Sequence, residues 1–514
     1  MALDSRCLSV PSPELIGFFA GAYVLYCVVS AIYCVFFHPL AKFPGPKWWA
    51  ASRVPWASHV IKGDLWQVLG RLHDQYGPVV RIAPDEITTI SPGAWKDIYT
   101  SKPLLPKDPY SQTPPLNGAH SLFTAADDTH RRIRGAIVNA FSDKALRDQS
   151  PIIESHANQL IARLQREVGK SADGVVDLQR FLGYATFDTV TDLSFGESFD
   201  GLKDENENSW TEAFFFHAKF STIRNCLSRF APLDVFLGLF LLGATRKTRN
   251  RNWGIATDKI QRRLAKGDMT GVRSDFISPV VGRIDDSGKK GVTNKELITN
   301  GLAFVIADCQ LTTVALSTSV FLLHRDLKKW KRLVDEVRNC FASRPDITVQ
   351  STQGLPYLEA VINETLRIRH PTPISLPRVV PREGMTIDGQ FIPGNTVIGI
   401  NLQNIQNSPK LWSDPDEFHP ERFLASTHPF YEDRFSKDVK EAFMPFSTGP
   451  RNCIGSKVFL AQARVILARI AWEFDMAMAK GQEQWLDQKA YLVFEPKSLF
   501  FALKPRHQHE SEGR

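Results

Sequence analysis

The sequence predicts a mainly helical protein with a small β region, preceded by one N-terminal transmembrane helix. Three observations lead there. An uncharged apolar run, "LIGFFAGAYVLYCVVSAIYCVFF", covers Leu15 to Phe37. From about Ser121 to Phe341 apolar residues recur mainly at helical spacing, broken by polar loops such as "DGLKDENENSW" and "GRIDDSGKKG". Two stretches rich in β-branched residues and turn formers, "GPVVRIAPDEITTISP" and "MTIDGQFIPGNTVIGI", lie on either side of that helical text.

The first run is about as long as a helix that crosses the hydrocarbon core, roughly 20 residues, and too long for a signal-peptide core. Asp4, Arg6 and Glu14 precede it, and Lys42, Lys47 and Arg53 follow. The positive-inside rule therefore puts the bulk of the chain in the cytosol. In "HPLAKFPGPKWWA", Pro39, Pro44, Gly45 and Pro46 cannot continue a helix and predict a stiff hinge, while Trp48 and Trp49 suit a membrane interface.

The first β-branched stretch reads as a hairpin. "LITNGLAFVIADCQLTTVALSTSVFLLHRD" predicts a long apolar helix, with a capping pattern in "TNKE" at Thr293 to Glu296. Asp308 and Gln310 in its middle favour a buried core helix over a second membrane span. The tail "KPRHQHESEGR" is expected to fray.

Composition narrows the function. Hydrophobic content of 43% and charged content of 23% are ordinary for a globular protein. The net charge of +7 is spread along the chain without a basic run, which argues against nucleic acid as the main partner. Seven widely spaced cysteines with no C-x-x-C pair argue against a disulfide framework or zinc site and fit a reducing compartment.

One cysteine stands apart. In "FMPFSTGPRNCIGSK", Cys453 precedes a strong helical pattern, so it sits at or just before a helix N-terminus, which favours a thiolate. Gly449 and Gly455 permit positive φ and leave room beside the sulfur for a flat ligand. Backbone N–H groups of the turn can donate to the sulfur. Phe446 can cover one side, and Arg451 can pair with an acidic group of the ligand.

The spacing F-x-x-G-x-R-x-C-x-G, met by Phe446, Gly449, Arg451, Cys453 and Gly455, resembles the haem-thiolate signature of the cytochrome P450 family. Three further matches follow the family's order. "ETLR" supplies the E-x-x-R pair, Glu364 and Arg367; "FHPERF" supplies Arg422, its third partner; and the proline-rich hinge matches as well. The resemblance covers nearly the whole chain and implies the cytochrome P450 fold. It implies haem (iron protoporphyrin IX) with Cys453 as axial thiolate, a ligand that favours O–O cleavage. Candidates for the haem propionates are Arg451, Arg378 and the His130/Arg134 pair, whose competing reading is a solvated helix face. The expected division is 1–14 lumenal, 15–37 transmembrane anchor, 38–50 hinge, 51–505 catalytic domain and 506–514 a disordered tail.

The long helix departs from the family's A-G-x-[D/E]-T, where acid and alcohol hold water and deliver protons. Aligned through Ala315 to Ser317, this chain reads "ADCQLTT": Asp308 replaces glycine, Gln310 the acid and Leu311 the threonine. Leucine donates no hydrogen bond and glutamine loses no proton. Either Asp308 and Thr312 form an altered relay, or less proton delivery is needed, or a shifted helix restores Thr312 to the usual place.

The resemblance implies a monooxygenase in the endoplasmic reticulum membrane, using O2 and NADPH electrons. No G-x-G-x-x-G in strand-helix context appears, so the electrons come from a separate NADPH-cytochrome P450 reductase. Lys328, Lys329, Lys331 and Arg332 are candidates for docking it, or form an ordinary solvated helix. The text is most similar to fungal secondary-metabolism members of the isotrichodermin C-15 hydroxylase-like type, which implies an apolar natural product such as a terpenoid or polyketide. Its contacts are expected from the Ser101 to Ser121 loop, from "FFFHAKFSTIRNCL" to "LFLLG", and from "PTPISL"; Phe214, Phe215 and Phe216 read as core more than pocket. The alternative is rearrangement, ring expansion, desaturation or dehydration without net oxygen insertion. A non-catalytic haem sensor has little support.

Overall fold

The computed structural model describes residues 13–112, 114–115, 118–203, 209–230, 250–267 and 273–506. Parts of the expected substrate regions, the side chains of Phe214, Phe215 and Phe216, and residues 1–12 and 507–514 lie outside the described residues.

Helices dominate, as expected. The long helix Asn294–Arg325 starts at Thr293, whose side chain accepts from the Glu296 amide while the Glu296 carboxylate accepts from the Thr293 amide. That reciprocal cap satisfies two donors the first turn would leave orphaned, and is worth about 1 kcal/mol. The helix is 78% buried over its apolar window, so it is a core helix. It packs on the helices Leu178–Phe195, Pro356–Ile368 and Ser456–Glu473. Leu316, Phe321 and Leu323 are fully buried there, each stabilising by roughly 1.5–3 kcal/mol.

The β region is small. β1 (Val79–Ala83) and β2 (Glu86–Thr89) form the expected antiparallel hairpin. The remaining strands are β3 (Val175–Asp177), β4 (Arg378–Val379), β5 (Met385–Ile387), β6 (Gln390–Ile392), β7 (Val397–Ile400), β8 (Phe474–Met478) and β9 (Phe500–Pro505). β2 lies parallel to β7, which pairs with β4, so the two strand-like stretches meet in one sheet of order β1-β2-β7-β4. Lys504, Pro505 and Arg506 belong to the body: the first two are in β9, and the Arg506 amide donates to the Glu473 carbonyl at 2.8 Å. The expected fraying from Lys504 is corrected accordingly.

At the other end, the apolar helix Pro13–Phe36 is long enough to cross a membrane, and its window Gly17–Phe36 is only 6% buried. The hinge is a 3-10 turn, Pro39–Lys42, followed by the short helix Lys47–Ala51. Trp48 is 61% exposed, but Trp49 is buried and stacked on His59. The interface role expected of both tryptophans is therefore open only to Trp48.

Candidate active site

The loop before helix Ser456–Glu473 folds back on itself. The Cys453 amide donates to the Phe446 carbonyl at 2.9 Å, and the Asn452 amide to the Gly449 carbonyl at 3.1 Å. Ser447 and Gly449 take left-handed backbone, at φ 58 and 78. A Cβ on Gly449 would sit 2.2 Å from the Tyr99 carbonyl oxygen, so glycine is required. Gly455 is different: its φ is −87, and a Cβ there would meet nothing. The expected positive φ is thus absent at Gly455, and what glycine provides is open space beside the loop. Phe446 meets Phe459 edge-on at 5.6 Å.

The N–H groups of Gly455 and Ser456 donate to the Cys453 thiol and favour its ionisation, as does Arg134. The Cys453 side chain is open to solvent, but the protein massed around it outweighs these donors and, with the charge of Asp308, holds the thiol above its ordinary value. A metal cation bound at this sulfur would favour its thiolate. Cys309, on the long helix, is fully buried beside Gly183 and Thr186, and burial pushes it up to about 12.

Between residues 296 and 324 of the long helix, only Ala303, Ile306, Ala307, Asp308 and Leu311 escape full burial. They lie on one face, centred on an i, i+4, i+8 row. Asp308 on this stripe and Arg134 both lie near enough to the Cys453 sulfur to act on its ionisation. Leu311 is on the stripe; Gln310 and Thr312 are buried. A shifted helix does not bring Thr312 onto the open face. Its hydroxyl instead donates to Asp308 Oδ1 at 3.3 Å, and Gln462 Nε2 donates to Oδ2 at 2.9 Å. Burial raises Asp308 to about 6.

A second group of side chains is cationic. Arg134 donates to the Asn452 carbonyl at 2.9 Å and side chain at 2.6 Å, and Arg451 donates to the Ala125 carbonyl and to Asp127 at 2.7 Å. These bonds clip the helix Asp127–Ile137 to the cysteine loop. Arg378, in β4, pairs through its backbone with Lys107, whose ammonium donates to the Phe123 carbonyl. Burial, then Arg451 and Arg378, lower Lys107 to about 7. Burial, then Arg451, Arg134 and Lys107, lower His130 to about 4, so it is neutral. Four cations thus crowd together against one acid, Asp127. The rest of that helix is ordinary: Arg131 is exposed beside Asp128, and Arg132 pairs with Glu296.

A third cluster is closed. Arg367 donates to both Glu364 oxygens, at 2.7 and 2.8 Å, and to the carbonyls of Gln406, Pro415 and Glu417. Arg422 donates to Glu364 at 3.1 Å and to Asp438. All four side chains are fully buried.

A match to the family model "Cytochrome P450" spans residues 43–503. The chain belongs to the cytochrome P450 family. It is 35% identical to cytochrome P450 monooxygenase atr2 of Stereocaulon alpinum, covering 95% of this chain and 96% of that one. It is 36% identical to cytochrome P450 monooxygenase stcF of Emericella nidulans, covering 94% and 98%. It is 35% identical to an averantin hydroxylase of Dothistroma septosporum, covering 96% and 91%. The chain is thus an oxidoreductase of the cytochrome P450 monooxygenase type, most like fungal secondary-metabolism members.

Cytochrome P450 membership brings a haem with axial thiolate, O2 and NADPH-derived electrons. The residues present fit that group. A sulfur receives two backbone N–H bonds beside a helix N-terminus, and a knot of cations matches a ligand with two carboxylates. Sequence reading missed Lys107, Asp438 and Gln462. None belongs to a motif, and each reaches its partners through pairings distant along the chain. Of the basic residues expected to dock a reductase, Lys329, Lys331 and Arg332 pair with Asp326, Asp335 and Glu421.

Proposed function

We propose that this chain is a membrane-anchored haem-thiolate monooxygenase that oxidises an apolar natural product, such as a terpenoid or polyketide, in secondary metabolism. Electrons reach it from NADPH through a separate reductase. Cys453 supplies the axial thiolate. Arg134, Arg378 and Arg451, with His130 as a neutral donor and Lys107 beside them, hold the two carboxylates of the haem. Glu364, Arg367 and Arg422 brace the cysteine loop. Asp308 and Thr312 form the altered proton relay, and buried Gln310 is a packing residue. Residues 15–37 anchor the body to the cytosolic face of the endoplasmic reticulum; the apolar helix and the basic residues after it support this. The body grips that helix: Arg81 donates to the Cys34 carbonyl at 2.8 Å.

The observation that carries this reading is the Cys453 loop, where two backbone N–H groups meet the sulfur at a helix N-terminus and the cations Arg134 and Arg451 stand beside it. Ile374, Ser375 and Leu376, in "PTPISL", are partly exposed and suit contact with substrate. A second reading, rearrangement or desaturation without net oxygen insertion, is favoured by Leu311 on the stripe, where the family has a hydroxyl.

The test is turnover in membranes with a P450 reductase. One relative is named averantin hydroxylase, so averantin heads the panel of apolar natural products. A product carrying one atom from labelled dioxygen, formed only with NADPH, supports monooxygenation. A rearranged isomer formed without NADPH, or an unlabelled product two hydrogens lighter formed only with NADPH and O2, supports the second reading.

A further inference from the structure

We infer that Gln462 is a positioning residue for Asp308, and that its side-chain amide holds the Asp308 carboxyl in either protonation state. The inference rests on the reading of Asp308 as the acid of the altered relay.

Asp308 stands where the family has glycine, so its carboxyl enters a place with no ready partner. Among the described residues it forms no ion pair; its bonds are those from Thr312 and Gln462. Gln462 comes from another element, the helix that follows Cys453, and is fully buried. Val458, Ala461, Val465 and Ile466 around it on that helix are apolar and buried. Gln462 Nε2 bonds Asp308, and Gln462 Oε1 is buried without a partner. An amide with one end spent on a single carboxyl and the other unpaired is an expensive way to fill a core position.

It is a suitable holder for a carboxyl that gains and loses a proton. The NH2 end donates to the carboxylate. After a half-turn of the amide, the carbonyl end accepts from the protonated acid. A cation would lock Asp308 charged, and an apolar side chain would leave it unpartnered. The other titratable groups near Asp308 are Cys453 from the loop and Cys309 from its own helix. Gln462 therefore keeps Asp308 on the open stripe through a proton cycle.

The test uses the full-length, haem-loaded protein. Infrared difference spectra give the carboxylic C=O band of Asp308, identified by its loss in Asp308→Asn. In Gln462→Met, which keeps length and removes both bonding ends, that band should move and its titration midpoint should rise by about one pH unit, a tenfold change. In the reductase assay, peroxide released per NADPH should rise severalfold in Gln462→Met. It should rise no further when Gln462→Met is added to Asp308→Asn, because the two act as one unit. If Gln462→Met takes up no haem, Gln462→Glu replaces it. That variant should leak like wild type while the new acid is neutral, and leak more as rising pH charges both carboxyls. An unmoved band, additive leaks or a flat pH profile would overturn the inference even if Asp308→Asn leaks. If Asp308→Asn alone changes neither leak nor product, the underlying reading of Asp308 fails first.

Discussion

The charge cluster around Glu364 and the cation cluster around Arg451 are both arginine-rich, yet they balance differently. In the first, Arg367 and Arg422 meet Glu364 and Asp438, two fully buried charges of each sign, and the more exposed Lys440 reaches Asp438 from the rim at 3.8 Å. In the second, Lys107, Arg134, Arg378 and Arg451 face a single acid, Asp127, whose side chain is 46% exposed. Burial first, then the neighbouring cations, lowers Lys107 to about 7 and the adjoining His130 to about 4. A cluster whose buried charges balance has finished its bonding and serves the fold. A cluster with surplus charge is built for an anion that folding alone does not provide.

Breaking the closed cluster should have the largest effect. Arg367→Ala leaves Glu364 buried and undercompensated, which costs about 3–5 kcal/mol. The expected outcome is aggregate or haem-free protein on expression. Normal yield and haem content would remove the cluster's structural role.

The surplus cluster should respond in the opposite way. Arg451→Ala removes one charge-assisted bond to the ligand, about 1.5–3 kcal/mol, so haem should dissociate roughly ten- to a hundredfold faster. The folding of the polypeptide should change less than in Arg367→Ala, because loss of the Ala125 and Asp127 bonds is offset by removal of a mutually repelling charge. Haem transfer to an acceptor protein measures the first, and denaturant unfolding of the polypeptide the second. Loss of folding with unchanged haem retention would erase the contrast between the clusters.

Asp308 gives a smaller effect of opposite sign. Its folded value, about 6, lies above the ordinary 3.8. The folded protein therefore holds a proton that the unfolded chain has lost, and stability falls as pH rises through that window. At neutral pH the charged carboxylate costs on the order of 1–3 kcal/mol. Asp308→Asn should thus raise the denaturation midpoint at neutral pH and leave it unchanged below about pH 4. Equal shifts at both pH values would mean that packing, not charge, is what changed.

Local rules in the sequence account for much of this. The Thr293–Glu296 cap, the β1–β2 hairpin, the cysteine motif and the E-x-x-R pair all depend on spacing within a few residues. The residues that complete each cluster do not. Asp438 reaches Arg422 across a run of turns. Lys107 arrives by pairing with Arg378, and Gln462 meets Asp308 from another helix. Adjacent identical residues also diverge: Trp48 and Trp49 read alike, but one step of about 100° around the helix sends one outward and the other into the core. At Gly455 the motif was legible, but the reason was not, because its backbone needs no positive φ.

The central claim is that Cys453 binds haem iron as a thiolate. The most direct measurement is the carbon monoxide difference spectrum of the reduced full-length protein and of Cys453→Ala. The wild type should show the band at the wavelength that gives the family its name, and the variant should lose it. An unchanged band in Cys453→Ala would contradict the assignment.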